Sequence, residues 1–204
     1  MRRGLVLAAL LAGSSLPVLA VPEGQWTAGV YGADRVANAW RNIPYQSVIG
    51  GLNFQKSWMA GVVARREIAT PGLLVDLGRS WKVPVSSSVE LGAYTHQAGH
   101  RPELSIAWRV GVIAWRPGPL AFEFGIGGGL SHIFGTPLSD GHSTEPELQH
   151  RTLLHFTRDL VLRHADLPEW SLGLRVHHRS GAYGLIAPAR SGSNFIGLIL
   201  TRDL

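Results

Sequence analysis

Apolar residues fall on alternate positions over stretches of about ten residues, and clusters of Gly, Pro, Asp, Ser or His separate those stretches. Between Leu104 and Arg116 one face carries Leu104, Ile106, Trp108, Val110, Val112 and Ala114, against Ser105, Ala107, Arg109, Gly111 and Ile113. Between Leu120 and Ser131, Leu120, Phe122, Phe124, Ile126, Gly128 and Leu130 oppose Glu123, Gly125, Gly127, Gly129 and Ser131. Helical spacing is nearly absent after the first 20 residues. The pattern predicts all-β structure with antiparallel strands over 24–33, 72–82, 86–97, 103–116, 119–131, 150–162, 169–180 and 193–202. Eight is an even number, as closure of a bacterial barrel favours. Asp34 to Pro71 is ambiguous: Val48–Phe54 and Trp58–Ala64 also look extended, and they could replace the first strand or add a hairpin. Residues 134–149, with Pro137, Asp140-Gly141 and Pro146, make the longest expected loop.

The polar faces decide the architecture. A soluble sandwich wets its polar face and seldom needs so many glycines beside charges there. In a small membrane barrel that face points into a narrow lumen, where small residues leave room for Glu123, Arg109, Arg175 and Asp159 to pair, while the apolar face meets lipid. Strands of ~9–11 residues suit a tilted membrane crossing. Trp81, Trp108, Trp115, Trp170 and Tyr94 lie at or near expected strand ends, where an interfacial aromatic belt would place them. The expected fold is therefore an eight-stranded antiparallel outer-membrane β-barrel, with a soluble lipocalin-like barrel as the alternative that shares the alternation.

Composition narrows this further. The 204 residues include no cysteine, 25 glycines and a formal charge of +5, which is neither a disordered nor a disulfide-stapled chain. Arg2 and Arg3 precede an apolar stretch from Gly4 to Gly13, and Val18-Leu19-Ala20 offers a small-residue cleavage site. Residues 1–20 read as a signal peptide and 21–204 as a single β-barrel domain, bound for the bacterial outer membrane. Removing the leader takes two arginines and leaves +3. Of the 19 basic residues 17 are arginines scattered singly or in pairs, so nucleic acid is not an expected partner.

Candidate chemistry lies in Trp170–Ser180. Period 2 puts Leu172, Leu174, Val176, His178 and Ser180 on one face, and Gly173, Arg175, His177 and Arg179 on the other. His178 and Ser180 thus continue the lipid-facing stripe, ~6–7 Å apart along the strand. A hydroxyl with an adjacent imidazole is the smallest activated nucleophile for acyl transfer. Asn194, at the start of the last strand, can share that face. His96 and His100 are spaced i, i+4 without a helical pattern or a Glu between them, which favours a loop over a zinc motif. Gly125–Gly129 lacks the strand-to-helix turn and Lys-Ser/Thr of a phosphate loop, and strand packing accounts for it. No metal and no organic cofactor are expected. Arg101, Arg116, Arg163 and Arg190 read as solvated rim residues, with lipid phosphates as their alternative contact.

The stretches Leu120-Ala-Phe-Glu-Phe-Gly-Ile-Gly-Gly-Gly-Leu-Ser-His-Ile-Phe-Gly-Thr136 and Ser171-Leu-Gly-Leu-Arg-Val-His-His-Arg-Ser180, followed by Gly184, Pro188 and Gly192, resemble the outer-membrane lipid A 3-O-deacylases of the PagL type. A looser match at Arg79-Ser-Trp81 and Gly92-Ala-Tyr-Thr95 extends the resemblance over roughly residues 72–204. It implies an eight-stranded barrel that hydrolyses the ester-linked 3-hydroxyacyl chain at the 3 position of lipid A, without a metal. His178 then resembles the general base and Ser180 the nucleophile. Where the family has Asn after the serine, contributing to the oxyanion hole, this chain has Gly181, whose amide is the candidate replacement. Asn194 stands where the family has its acid; Asn can fix a histidine tautomer but not stabilise imidazolium by charge. The expected partners are lipid A or lipopolysaccharide and the outer membrane, with a homodimer as a further candidate. The alternative is a catalytically impaired barrel that serves as a structural or lipopolysaccharide-binding protein.

Overall fold

The computed structural model describes residues 22–97, 101–135, 150–188 and 191–204. The proposed leader and most of the expected 134–149 loop lie outside them. Eight strands alternate up and down: β1 (Trp26–Val36), β2 (Phe54–Ile68), β3 (Val85–His96), β4 (Arg101–Trp115), β5 (Leu120–Ile133), β6 (Thr152–His164), β7 (Leu167–Ser180) and β8 (Gly192–Asp203). Each pairs antiparallel with its neighbours in sequence, and β1 closes on β8, so the sheet has no free edge. Val30 lies opposite Val62 on one side and Leu200 on the other, which keeps apolar outward residues in register around the seam. No helix among the described residues is long and apolar enough to cross a membrane.

Seven of the eight expected strands are present with shifted ends, and one is a helix. Residues Gly72–Trp81 form α2 rather than a strand. Leu73, Leu77 and Trp81 are spaced by four and all exposed, which is one helical face rather than a strand's alternate positions. Pro71 opens α2, and Lys82, in the left-handed region at φ 55°, closes it. The missing strand comes from the ambiguous segment: 54–68 is β2, and 37–53 folds instead as a cap.

The barrel is built inside out. Residues facing outward include Val62, Leu91, Ile106, Phe124, Leu160 and Leu198, all exposed and all apolar, as lipid contact requires. The inward face is charged. Arg65 pairs with Glu90 at 2.8 Å, Glu90 with Arg175 at 2.6 Å, Arg175 with Asp159 at 2.8 Å, Asp159 with Arg109 at 3.0 Å and Arg109 with Glu123 at 2.5 Å. Three arginines and three carboxylates thus make a neutral chain across β2, β3, β7, β6, β4 and β5. Glycines make room for it. A Cβ at Gly125 would stand 2.1 Å from the Arg109 guanidinium, and one at Gly111 2.7 Å from Glu123 Oε1.

Aromatic residues divide between the two faces. Trp26 and Trp170 sit at the rim near the termini, with the Arg66 and Arg202 guanidiniums 5.6 and 5.5 Å from their rings. Trp115 also lies at a strand end, whereas Trp81 ends α2 and Trp108 faces outward from the middle of β4. Tyr94 does not belong to a belt: it shares parity with Glu90 on β3, so it is buried in the lumen edge-on to Tyr31.

Arg175→Met would leave Glu90 and Asp159 buried without their shared partner, and should destabilise the barrel by ~3–5 kcal/mol in urea unfolding from micelles. Gly125→Val, which drives a side chain into the Arg109 guanidinium, should lower stability by ~1–3 kcal/mol in the same measurement.

Candidate active site

Strand parity carries His178 and Ser180 to the outer wall, at the end of the barrel opposite the chain termini. Both are half-buried there, while Arg175, His177 and Arg179 between and before them are buried in the lumen. β7 and β8 are paired so that His178 lies directly opposite Asn194. Their side chains meet at 2.6 Å, His178 Nδ1 to Asn194 Oδ1. Asn194 Nδ2 donates to the Asn38 carbonyl at 2.9 Å, so its amide oxygen is the end turned to the histidine. An amide oxygen only accepts, which makes His178 Nδ1 the protonated nitrogen of the neutral ring and leaves Nε2 basic.

The cap holds this arrangement. Asn38 donates to Gln46 Oε1 and the Gly51 carbonyl and accepts from the Asn53 amide, which ties both ends of the β1–β2 connection together. Between them a 3-10 turn (Trp40–Asn42) leads into α1 (Ile43–Ile49), ended by Gly50 at φ 78°. Ile43 packs with Val36, Val176 and Ile196 on the outer wall, joined by Trp40 and Leu52. Trp40 stacks on His178 with ring centroids 4.6 Å apart, and Phe156 stacks on it at 6.0 Å. Arg158, outward on β6, places its guanidinium 4.1 Å from the Trp40 ring. The Trp40 stack and the Asn194 hydrogen bond together orient the His178 ring.

Ser180 and Gly181 are engaged elsewhere. The Ser180 hydroxyl accepts from the Ala182 amide at 3.1 Å, and it forms no hydrogen bond with His178. The Gly181 amide donates to the Ser191 carbonyl at 3.0 Å, so in this conformation it is not turned to an oxyanion. A Cβ at Gly181 would stand 2.5 Å from the Ala187 carbonyl oxygen, which is why an asparagine does not fit there as the loop is folded. Ala182 and Tyr183 follow at φ 53° and 55°, strained for residues with a Cβ. Such strain often accompanies a functional turn. The tip beyond is apolar and exposed, at Tyr183 and Leu185.

The other expected positions scatter. His96 is no loop residue: it ends β3 inside the lumen, bonded to Glu103 at 2.7 Å, because its parity matches Glu90 and Tyr94. His100 and Arg190 lie outside the described residues. Arg163 pairs with Asp203 at 3.0 Å near the termini, at the opposite end from His178. Trp40, Asn38 and Arg158 were not expected at the site. The signal available for the cap was Asn42-Ile-Pro44 before an apolar turn and Gly50-Gly51 after it, a start and a stop around a short helix.

No protein-family model matches the sequence, and no curated protein is matched. Among solved structures, the barrel is similar to the outer membrane enzyme PagL, with TM-score 0.58 and 11% identity over 87% of this chain and 99% of that one. It is also matched to the N-terminal β-barrel domain of Pseudomonas aeruginosa OprF, with TM-score 0.44 and 14% identity over 89% and 100% of the two chains. Neisserial surface protein A is matched at TM-score 0.49 and 10% identity, over 89% and 98%. The fold is that of the eight-stranded bacterial outer-membrane barrels.

Replacing Asn194 with Leu should release His178 from its single tautomer. Nitrogen-15 NMR of histidine-labelled barrel in micelles should show a protonated Nδ1 and unprotonated Nε2 in the parent, and a mixture of both tautomers in the variant.

Proposed function

We propose that this outer-membrane barrel is a serine esterase that removes the ester-linked 3-hydroxyacyl chain at the 3 position of lipid A. The observation that carries the reading is the His178–Asn194 hydrogen bond at 2.6 Å on the outer wall, with Ser180 two residues along the same face. A nucleophile on that wall meets acyl chains where they lie, without extracting lipid from the bilayer. The PagL-like stretch that contains both residues, and the fold shared with an outer membrane enzyme, support the same assignment.

In this mechanism Asn194 holds His178 with Nε2 directed to catalysis. Ser180 turns its hydroxyl from the Ala182 amide to His178, which takes the proton as Oγ attacks the ester carbonyl. The tetrahedral oxyanion collapses, the sugar hydroxyl leaves with the proton held on His178, and water hydrolyses the acyl-enzyme by the same route. Turning Ser180 away also frees the Ala182 amide, one residue beyond Gly181, as an oxyanion donor. Leu172 and Leu174 below the site line the wall along which the acyl chain would lie, and Arg158 supplies a cation there for a lipid phosphate. Residues 1–20 act as the export signal and are removed.

A second reading has its own support. The Gly181 amide bonded to Ser191, together with Asn in place of an acid, favours a barrel that binds lipopolysaccharide without cleaving it. Mass spectrometry of lipid A from cells that express the protein separates the two. The esterase removes a 3-hydroxyacyl chain, and Ser180→Ala abolishes that loss while the barrel still assembles; an acyl pattern unchanged by the parent protein, or still altered by Ser180→Ala, defeats the assignment.

A further inference from the structure

Behind the outer-wall site, inside the lumen, lies a group of side chains that the esterase reading does not use. Glu103, His155 and His177 come from β4, β6 and β7, all three fully buried, and one donor atom of each lies within 4.8 Å of the others. His177 Nε2 is 3.0 Å from Glu103 Oε1, and His96 Nε2 from β3 is 2.7 Å from Glu103 Oε2. The arrangement is thus three imidazoles converging on one carboxylate.

The second observation concerns unmet hydrogen bonds. Both ring nitrogens of His155 are buried without any partner, although the ring centroid lies only 4.4 Å from that of His177. Buried polar groups are ordinarily satisfied, because an orphan loses its water and gains nothing in return. A histidine held with both nitrogens idle, beside a carboxylate and two further imidazoles, is a ligand set missing its centre. Tyr31, Tyr94 and Phe195 wall the chamber at centroid distances of 6.4, 5.0 and 6.4 Å from His177, which excludes bulk solvent.

We infer that Glu103, His155 and His177 form a binding site for a divalent first-row transition ion inside the barrel, with a water as the fourth ligand and His96 holding the second oxygen of the Glu103 carboxylate. Imidazole and carboxylate suit zinc and its neighbours in that series, and bonds of ~2.0–2.2 Å in a tetrahedron set ligand atoms about 3.3 Å apart. The His177 Nε2–Glu103 Oε1 spacing of 3.0 Å is already close to that edge, the His96 hydrogen bond fixes the other carboxylate oxygen, and His155 joins as the third protein ligand by a small inward movement. The Glu103 charge offsets half of the ion's. Arg179 approaches Glu103 at 3.7 Å, yet its guanidinium is directed to Ser131 Oγ and the Arg151 carbonyl, each at 2.7 Å. This site is separate from Ser180 and does not depend on the esterase reading.

The test uses the full barrel refolded in detergent micelles, stripped with chelator, exposed to a small excess of Zn²⁺, desalted and measured for metal. One zinc per barrel is expected, lost at least ~10-fold in His155→Phe and in Glu103→Gln. Co²⁺ in place of Zn²⁺ should give the intense visible absorption of a four-coordinate ion in the parent and lose it in both variants. Ser180→Ala and the surface variant His132→Ala should keep the metal. Unboiled gel migration identifies a variant that has not folded, and the other variant then decides. Zinc that passes through with the small molecules, or is retained equally by the folded His155 and Glu103 variants, overturns the site and leaves water as the partner of His155.

Discussion

The structure depends on the neutral chain of ion pairs that runs from Arg65 through Glu90, Arg175, Asp159 and Arg109 to Glu123. Charges this deeply buried are tolerated only when each is paired and hydrogen-bonded, so every member fixes the position of the next. The chain ties together strands distant in sequence, and it demands glycine at Gly111 and Gly125 so that the guanidinium of Arg109 has somewhere to lie. It also assigns the two faces of the sheet. Once the polar side of each strand is committed to the lumen, period 2 sends the apolar side outward, and only a bilayer can solvate it.

The same parity gives the outer-wall site its character. His178, Asn194 and Ser180, with Arg158 near them, are polar residues on a mostly apolar face, at the end of the barrel away from the termini. They are organised from outside by the cap, whose Asn38 carbonyl orients Asn194 and whose Trp40 holds the His178 ring. The ion-pair chain supplies the rigid wall, and the cap supplies the alignment. A lipid approaching from the bilayer would meet a basic imidazole nitrogen without leaving its own solvent.

Much of this was legible in the sequence because a barrel strand encodes its environment on alternate residues. The inward facing of Arg109, Glu123, Asp159 and Arg175, and the outward facing of His178 and Ser180, follow from parity alone. What parity could not resolve was α2, where Leu73, Leu74, Val75 and Leu77 satisfy either a strand or a helix and only the Leu73–Leu77–Trp81 spacing separates them. The cap was hidden for a different reason: Ile43 and Leu52 are apolar whether they face lipid as strand or cover the wall as a folded connection. His96 and Glu103 share the β3–β4 hairpin, and His155 and His177 lie on the neighbouring strands β6 and β7, but nothing local relates the two pairs. Their meeting depends on barrel closure and register, which emerge only when the strands are assembled.

One wall of this barrel, in the proposed function, presents Ser180 to lipid while the neighbouring His177 and Arg179 are sealed in a charged interior. The direct measurement is the set of nuclear Overhauser contacts between detergent acyl chains and side-chain protons in the isotope-labelled barrel. Contacts are expected to Leu172, Leu174, Leu198, Leu200 and the Ser180 β-protons, and none to His177, Arg179 or Phe195. Contacts to His177 or Phe195 with none to Ser180 would contradict that arrangement.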